Sequence, residues 1–338
     1  MPTLLDALRQ TSQIDCDTLD SDVARELGPF VDCTSNQAIA FFEVSRPLAG
    51  QSILHHDALI AEAIRDARGP LKELQCTVTF EEFVVEILMV KLQLLQVPNV
   101  TGYVHIQTNP KLSYSTPGTI DNAYRIVNIF KALAPDFDAT RVCIKIPATW
   151  EGLQACRELE VNGIATLATT MFCMEQAVLA AEAQCTYIAP YVNELKVHFE
   201  EGYVDDNKAF DFCREAQAYY INKSFRTQVL AASLTSVDEV MQLAGIQHVT
   251  ISPNLLRGLA STHLSTWNGK LGEYFAQGPV NKSWETRDYN ALVKDDSAWR
   301  LAFTRSGFGA SEGKIIQAIN YFSDFQEKME ELVKQHAG

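Results

Sequence analysis

Residues 141–152 read R-V-C-I-K-I-P-A-T-W-E-G. Apolar residues surround a single lysine, Pro147 ends the run, and Thr149 is placed to cap a helix whose first turn carries Glu151, the favoured sign of charge at that end. This is a buried strand that delivers a helix. Side chains alternate along a strand, so Cys143, Lys145 and Pro147 share one face while Ile144 and Ile146 share the other. An ammonium group is almost never left buried without a partner. Two readings of Lys145 follow. It is salt-bridged or snorkels at a strand end, or its desolvated amine is neutral often enough to attack a carbonyl and form a Schiff base. The stretch alone supports both.

Working outward, the alternation of strand and helix recurs. Towards the C-terminus, strands are predicted over 164–171, 186–192, 227–233 and 248–253. Helices are predicted over 150–159, 174–183, 207–222, 237–244 and 254–260. Towards the N-terminus, strand 101–108 precedes helix 121–133, and short strands at 12–17 and 30–36 precede helices at 53–68 and 80–96. Eight strands alternating with helices predict a parallel α/β sheet closed into a single (β/α)8 TIM barrel. Additional helices flank it, an N-terminal one at 4–10 and a C-terminal one at 314–335. The latter is charged on one side and should wrap the outside. Helix 80–96 is apolar over more than half its circumference, so it should pack on both flanks. Nothing resembles a linker, and 1–338 reads as one domain.

Composition narrows the function classes. At 47% hydrophobic and 21% charged residues the chain has ample core, which excludes a mainly disordered protein. The net charge of -14 argues against nucleic acid or an anionic membrane as the main partner. The eight cysteines form no C-x-x-C pair and no zinc-spaced cluster, so they read as reduced core residues and no metal is implied. Asp6 and Arg9 interrupt what would be the apolar part of a signal peptide, and no apolar run is long enough to span a bilayer. A cytoplasmic protein is expected.

Barrel enzymes carry their chemistry at the C-terminal ends of the strands. The polar residues at those ends are Asp17, Asn36, Gln107, Lys145, Thr169, Tyr191 and Ser233. Strand parity places Gln107 with His105, Thr169 with Leu167, Tyr191 with Ala189 and Ser233 with Ala231. Taken singly, a Thr, Ser or Asn at a strand end is usually a cap or turn residue. Convergence of seven on one mouth is the stronger signal.

At these residues the sequence resembles the transaldolases and, more widely, the class I aldolases of the same superfamily. I-K-I-P-A-T-W-E-G resembles their Schiff-base segment, and the similarity runs over nearly the whole chain. The resemblance implies that Lys145 forms the imine and that Asp17, in D-C-D-T, transfers protons during carbon–carbon cleavage. It implies that Asn36, in T-S-N-Q, binds a donor hydroxyl, although Gln37 replaces the family proline. Thr169 and Ser233 match a catalytic threonine and a substrate-pocket serine. It further implies a homodimer with no metal or organic cofactor.

The departures are informative. Gln107 stands where transaldolases carry a glutamate, and Leu167, Ala189 and Tyr191 replace an asparagine, a serine and a phenylalanine. These choices are similar to the fructose-phosphate aldolase branch, in which a glutamine, a tyrosine and a threonine hold the catalytic water. Glu194 and Thr235 align with two phosphate-binding cations of the family. Loss of two charge-assisted contacts should weaken phosphosubstrate recognition by on the order of a hundredfold to ten-thousandfold. Glu194 at such a position would add repulsion, with Lys196 nearby as a substitute cation. The leading expectation is therefore an aldolase acting through a lysine Schiff base on a small, unphosphorylated carbonyl compound. The alternatives are a true transaldolase moving dihydroxyacetone units between sugar phosphates, and a catalytically silent homologue with a binding role.

Overall fold

A computed structural model describes Met1–Gly338. Eight parallel strands close into a barrel in sequence order: β1 (Gln13–Asp17), β2 (Cys33–Thr34), β3 (Val104–Gln107), β4 (Val142–Pro147), β5 (Ala165–Met171), β6 (Tyr187–Pro190), β7 (Gln228–Ala231) and β8 (His248–Ile251). Pairing of β1 with β8, Cys16 opposite Ile251, completes the circle. All residues of β4 and β5 are buried, as expected for parallel strands covered by helices. Parity holds on β1 and β4. Ile14, Cys16, Ile144 and Ile146 pack outward against the helices, while Cys143 joins Leu167, Tyr187, Ala189, Tyr191, Leu230 and Ala232 inside the barrel.

The turn that launches the helix after β4 is built as its sequence suggests. Thr149 Oγ1 accepts the Gly152 N–H at 2.9 Å and opens the helix Trp150–Val161. Gly152 is required there, because a Cβ would sit 2.1 Å from the Pro147 carbonyl oxygen.

Helix Phe80–Gln96 spans the predicted residues and is buried on most sides, so it buries a carboxylate as well, Glu86. Arg125, on helix Thr116–Leu133, meets Glu86 in a two-pronged pair at 2.6 and 2.7 Å, and Asn122 adds a third bond at 2.6 Å. Removing one partner strands the other charge away from water. Arg125→Ala should cost about 3–5 kcal/mol of stability, read from urea denaturation, whereas loss of an exposed ion pair would cost under about 1 kcal/mol.

Two expectations need correction. Strand β2 covers only Cys33–Thr34, not 30–36. The backbone around it is committed elsewhere, the Asp32 N–H to the Asp15 carboxylate and the Asn36 side chain to capping helix Gln37–Val44. The C-terminal helix, Ala310–Ala337, does more than wrap the outside. It lies across the C-terminal mouth of the barrel, where Ala318, Phe322 and Phe325 join the interior apolar cluster. Its polar face is tied to the segment after β6 by Lys314–Asp205 at 2.9 Å and by Gln317, whose amide meets Glu194 and the Lys196 N–H. No helix is long and apolar enough to cross a membrane.

Candidate active site

A cavity of about 710 Å³ opens at the C-terminal ends of the strands beneath this helix. Five of the expected residues line it: Asp17, Asn36, Lys145, Tyr191 and Ser233. Lys145 is 2% exposed. Thr108 holds its backbone carbonyl through an N–H at 3.0 Å and a hydroxyl at 3.5 Å, while Nζ itself has no hydrogen-bond or ion-pair partner in the protein. The salt-bridged reading of this lysine is therefore not what the fold contains. The unpartnered amine lines the cavity, where a carbonyl group could meet it.

Register places Gln107 beside Lys145 on one flank and Leu167 on the other, with Thr169 opposite Pro147. Gln107 is buried, and neither its Oε1 nor its Nε2 finds a partner in the protein. An orphaned buried amide costs about 1–3 kcal/mol; Gln107 borders Lys145, but like Thr169 it lies behind the residues that line the cavity. The Thr169 hydroxyl donates to Tyr191 Oη at 3.4 Å. The Thr34 hydroxyl donates to Asp17 Oδ1 at 2.6 Å and also meets the Thr250 hydroxyl, fixing the carboxylate at the cavity edge. Asn36 accepts the Ile39 N–H through Oδ1 at 3.0 Å, which leaves its Nδ2 for a ligand. Leu167 and Ala189 lie in the barrel interior, outside the cavity wall.

Ser233 reaches the cavity by a route that strand parity does not describe. Leu230 and Ala232 face the interior and Ala231 faces outward, so continued alternation would turn Ser233 outward too. The left-handed backbone of Ser233, φ +62°, redirects it, and its hydroxyl meets His198 Nε2 at 2.9 Å. His198 also lines the cavity, and burial pushes its pKa down.

Glu194 and Thr235 do not line the cavity. The Glu194 carboxylate accepts from Tyr203 and from Gln317, and the Thr235 N–H donates to Glu239 at 2.7 Å. The expected repulsion of anions by Glu194 therefore has no basis in its position. Lys196 pairs with Glu200 at 3.0 Å and is no substitute cation at the cavity. The arginines on the wall are Arg46, engaged by Asp20 and Glu43 at 2.9 Å each, and Arg257, which has no acidic partner.

Below the cavity the barrel holds a polar layer that strand parity only half revealed. Asp15 meets His248 Nδ1 at 3.0 Å and accepts the Asp32 N–H, while Asp32 meets His105 Nε2 at 2.8 Å and accepts the Tyr103 N–H at 2.7 Å. Asp15 and His105 share faces with Asp17 and Gln107. Asp32 and His248 gave no signal, lying at the ends of apolar runs. Burial pushes the Asp15 carboxyl up to about 7. Burial lowers His248, but the Asp15 hydrogen bond and charge outweigh it and leave it raised. The pair thus holds its proton more tightly folded than unfolded. Both raised values give stability that is full at low pH and lost as pH rises through neutrality. Relative to Asp15→Asn, the wild-type protein should lose stability between about pH 5 and about pH 8, read from the denaturation midpoints of the two.

The arrangement is that of a (β/α)8 barrel with a lysine-centred pocket at the C-terminal ends of its strands. The chain belongs to the transaldolase/fructose-6-phosphate aldolase family, whose sequence model matches residues 14–301. A transaldolase of Chlamydia pneumoniae is 29% identical over 352 aligned residues, covering 100% of this chain and 99% of its own. A transaldolase of Thermosynechococcus vestitus is 28% identical over 346 residues, covering 98% of this chain and 81% of its own. A solved IMP dehydrogenase/GMP reductase-like protein from Corynebacterium glutamicum overlays at a TM-score of 0.39 and 14% identity, covering 83% of this chain and 80% of its own, a likeness too distant to add to the barrel seen directly. Family membership supports an enzyme of the aldolase or transferase type, with class I aldolase activity in general terms.

Proposed function

We propose that the protein makes or breaks a carbon–carbon bond through a Schiff base on Lys145, acting on a small unphosphorylated carbonyl compound. The observation that carries this is the buried, unpartnered amine opening into the same cavity as Asp17. In the cleavage direction the amine adds to a ketone, water leaves, and the imine nitrogen takes up a proton from solvent to give an iminium ion. Asp17 takes the proton of the hydroxyl on the β-carbon. The bond between the α- and β-carbons breaks, an aldehyde departs, and the electron pair passes through the enamine to the iminium nitrogen. Protonation of the enamine carbon and addition of water then release the donor ketone and restore the amine. Gln107, Thr169 and Tyr191 hold that water. Engagement of Arg46 by Asp20 and Glu43 supports unphosphorylated substrates, whereas the unpaired Arg257 and the match to two curated transaldolases support a second reading, transfer of a dihydroxyacetone unit to an acceptor aldehyde.

The two readings differ in the fate of the enamine. An aldolase protonates and hydrolyses it, whereas a transferase preserves it until an acceptor arrives. Tyr191→Phe should slow release of free donor ketone by about tenfold, the worth of one hydrogen bond, while reductive trapping on Lys145 persists. Tyr191→Phe combined with Gln107→Glu should shift the product ratio towards transfer, and the two changes should be non-additive because they act on one water. Product ratios measured with and without acceptor check this. Simple additivity with an unchanged ratio would remove both residues from control of the water.

A further inference from the structure

The cavity has an aromatic roof. Strands β2 and β6 stand opposite each other in the closed barrel. Phe42 lies on the helix that follows β2, Phe199 ends the short helical turn that follows β6, and Phe325 of the C-terminal helix contacts both rings at 5.2 Å. The helix therefore spans the mouth between opposite sides of the barrel. One turn before Phe325, the fully buried Phe322 lines the cavity from above, and Ile39 and Leu195 continue the surface on either side. Polar groups share these elements, Glu43 and Arg46 near Phe42 but bound to each other and His198 beside Phe199 but bonded to Ser233, while Asp17 ends β1 and Ser252, Asn254 and Arg257 follow β8.

We infer that the region under the roof is an acceptor subsite for an aldehyde bearing an aliphatic or aromatic group, its specificity set by Phe42, Phe199 and Phe322. This rests on the Schiff-base reading of the same site. A polyol or phosphate under these rings would give up water for surfaces that offer no hydrogen bond, at a cost a hydrocarbon group does not meet. A hydrocarbon chain gains instead, because each methylene leaving water for a fully apolar surface is worth about fourfold in binding. Phe42, 57% exposed at the rim, is the ring such a chain would cover.

The test uses the full-length protein with dihydroxyacetone as donor and acceptors from ethanal to hexanal, beside glyceraldehyde and its 3-phosphate. kcat/KM for aldol formation should rise about twofold to fourfold per added methylene, with butanal preferred to glyceraldehyde. Phe322 is buried enough that its loss would endanger folding, so the variant is Phe42→Ser at the exposed rim. It should flatten the chain-length slope. A flat or falling series in the wild type, preference for glyceraldehyde or its phosphate, an unchanged slope in Phe42→Ser, or no product with any aldehyde would overturn the inference. Borohydride trapping of dihydroxyacetone alone separates the two failures. Trapping on Lys145 with a flat series defeats only the acceptor subsite, and no trapping defeats the Schiff-base reading beneath it.

Discussion

Lys145→Ala should lower kcat/KM for carbon–carbon cleavage by on the order of 10⁴ to 10⁶, the scale of removing a covalent nucleophile. Lys145→Arg should be equally inactive, because a guanidinium does not deprotonate in a protein and cannot add to a carbonyl. The arginine variant matters for a second reason. Its positive charge would satisfy any role that Lys145 played only as a counter-ion, and the structure shows no carboxylate paired with Nζ. Steady-state kinetics on both variants, with thermal denaturation to show that the barrel is intact, provide the check. Cleavage by Lys145→Arg within tenfold of the wild type would place the nucleophile elsewhere.

Asp17→Asn should lower turnover by about 10² to 10⁴, the usual worth of a general acid–base group, with little change in imine formation. The amide keeps the shape and can still accept from Thr34, but it cannot take up the proton of the β-hydroxyl. Pre-steady-state trapping and cleavage rates separate the two steps. Near wild-type cleavage in this variant would move the acid–base role to another group. Asp15, on the same strand face, is buried, hydrogen-bonded to the Asp32 N–H and to His248, and does not line the cavity.

What was legible in the sequence follows from local physics. The lysine strand was readable because a parallel strand buried on both faces must be nearly all apolar, which leaves one charged residue conspicuous. Helix Phe80–Gln96 was readable because apolar residues cover more than half its circumference at helical spacing. Ser233 was assigned to the mouth, yet on a parity that fails at Ala231. A single residue with positive φ is invisible to pattern reading when it is not glycine.

The place of the C-terminal helix was misread for a different reason. Phe322 and Phe325, three residues apart, specify an apolar stripe but not the surface that receives it, and the barrel mouth accepts that stripe as well as the outer helices would. Glu194 illustrates the limit of position-by-position comparison. Its carboxylate is drawn away by Tyr203 and Gln317, contacts between segments far apart in sequence. His198 and Arg257 were missed because neither belongs to a strand end. They enter the wall from the segments that follow β6 and β8.

The central claim is that the unpaired amine of Lys145 forms a covalent imine with a small ketone. It is tested most directly by intact-protein mass spectrometry after borohydride reduction in the presence of dihydroxyacetone, followed by peptide mapping. The account predicts one adduct per chain, with the mass of the ketone less one water plus two hydrogens, on the peptide containing Lys145 and absent from Lys145→Ala. An adduct that survives Lys145→Ala, or no adduct with any of a panel of small ketones and aldehydes, would contradict it.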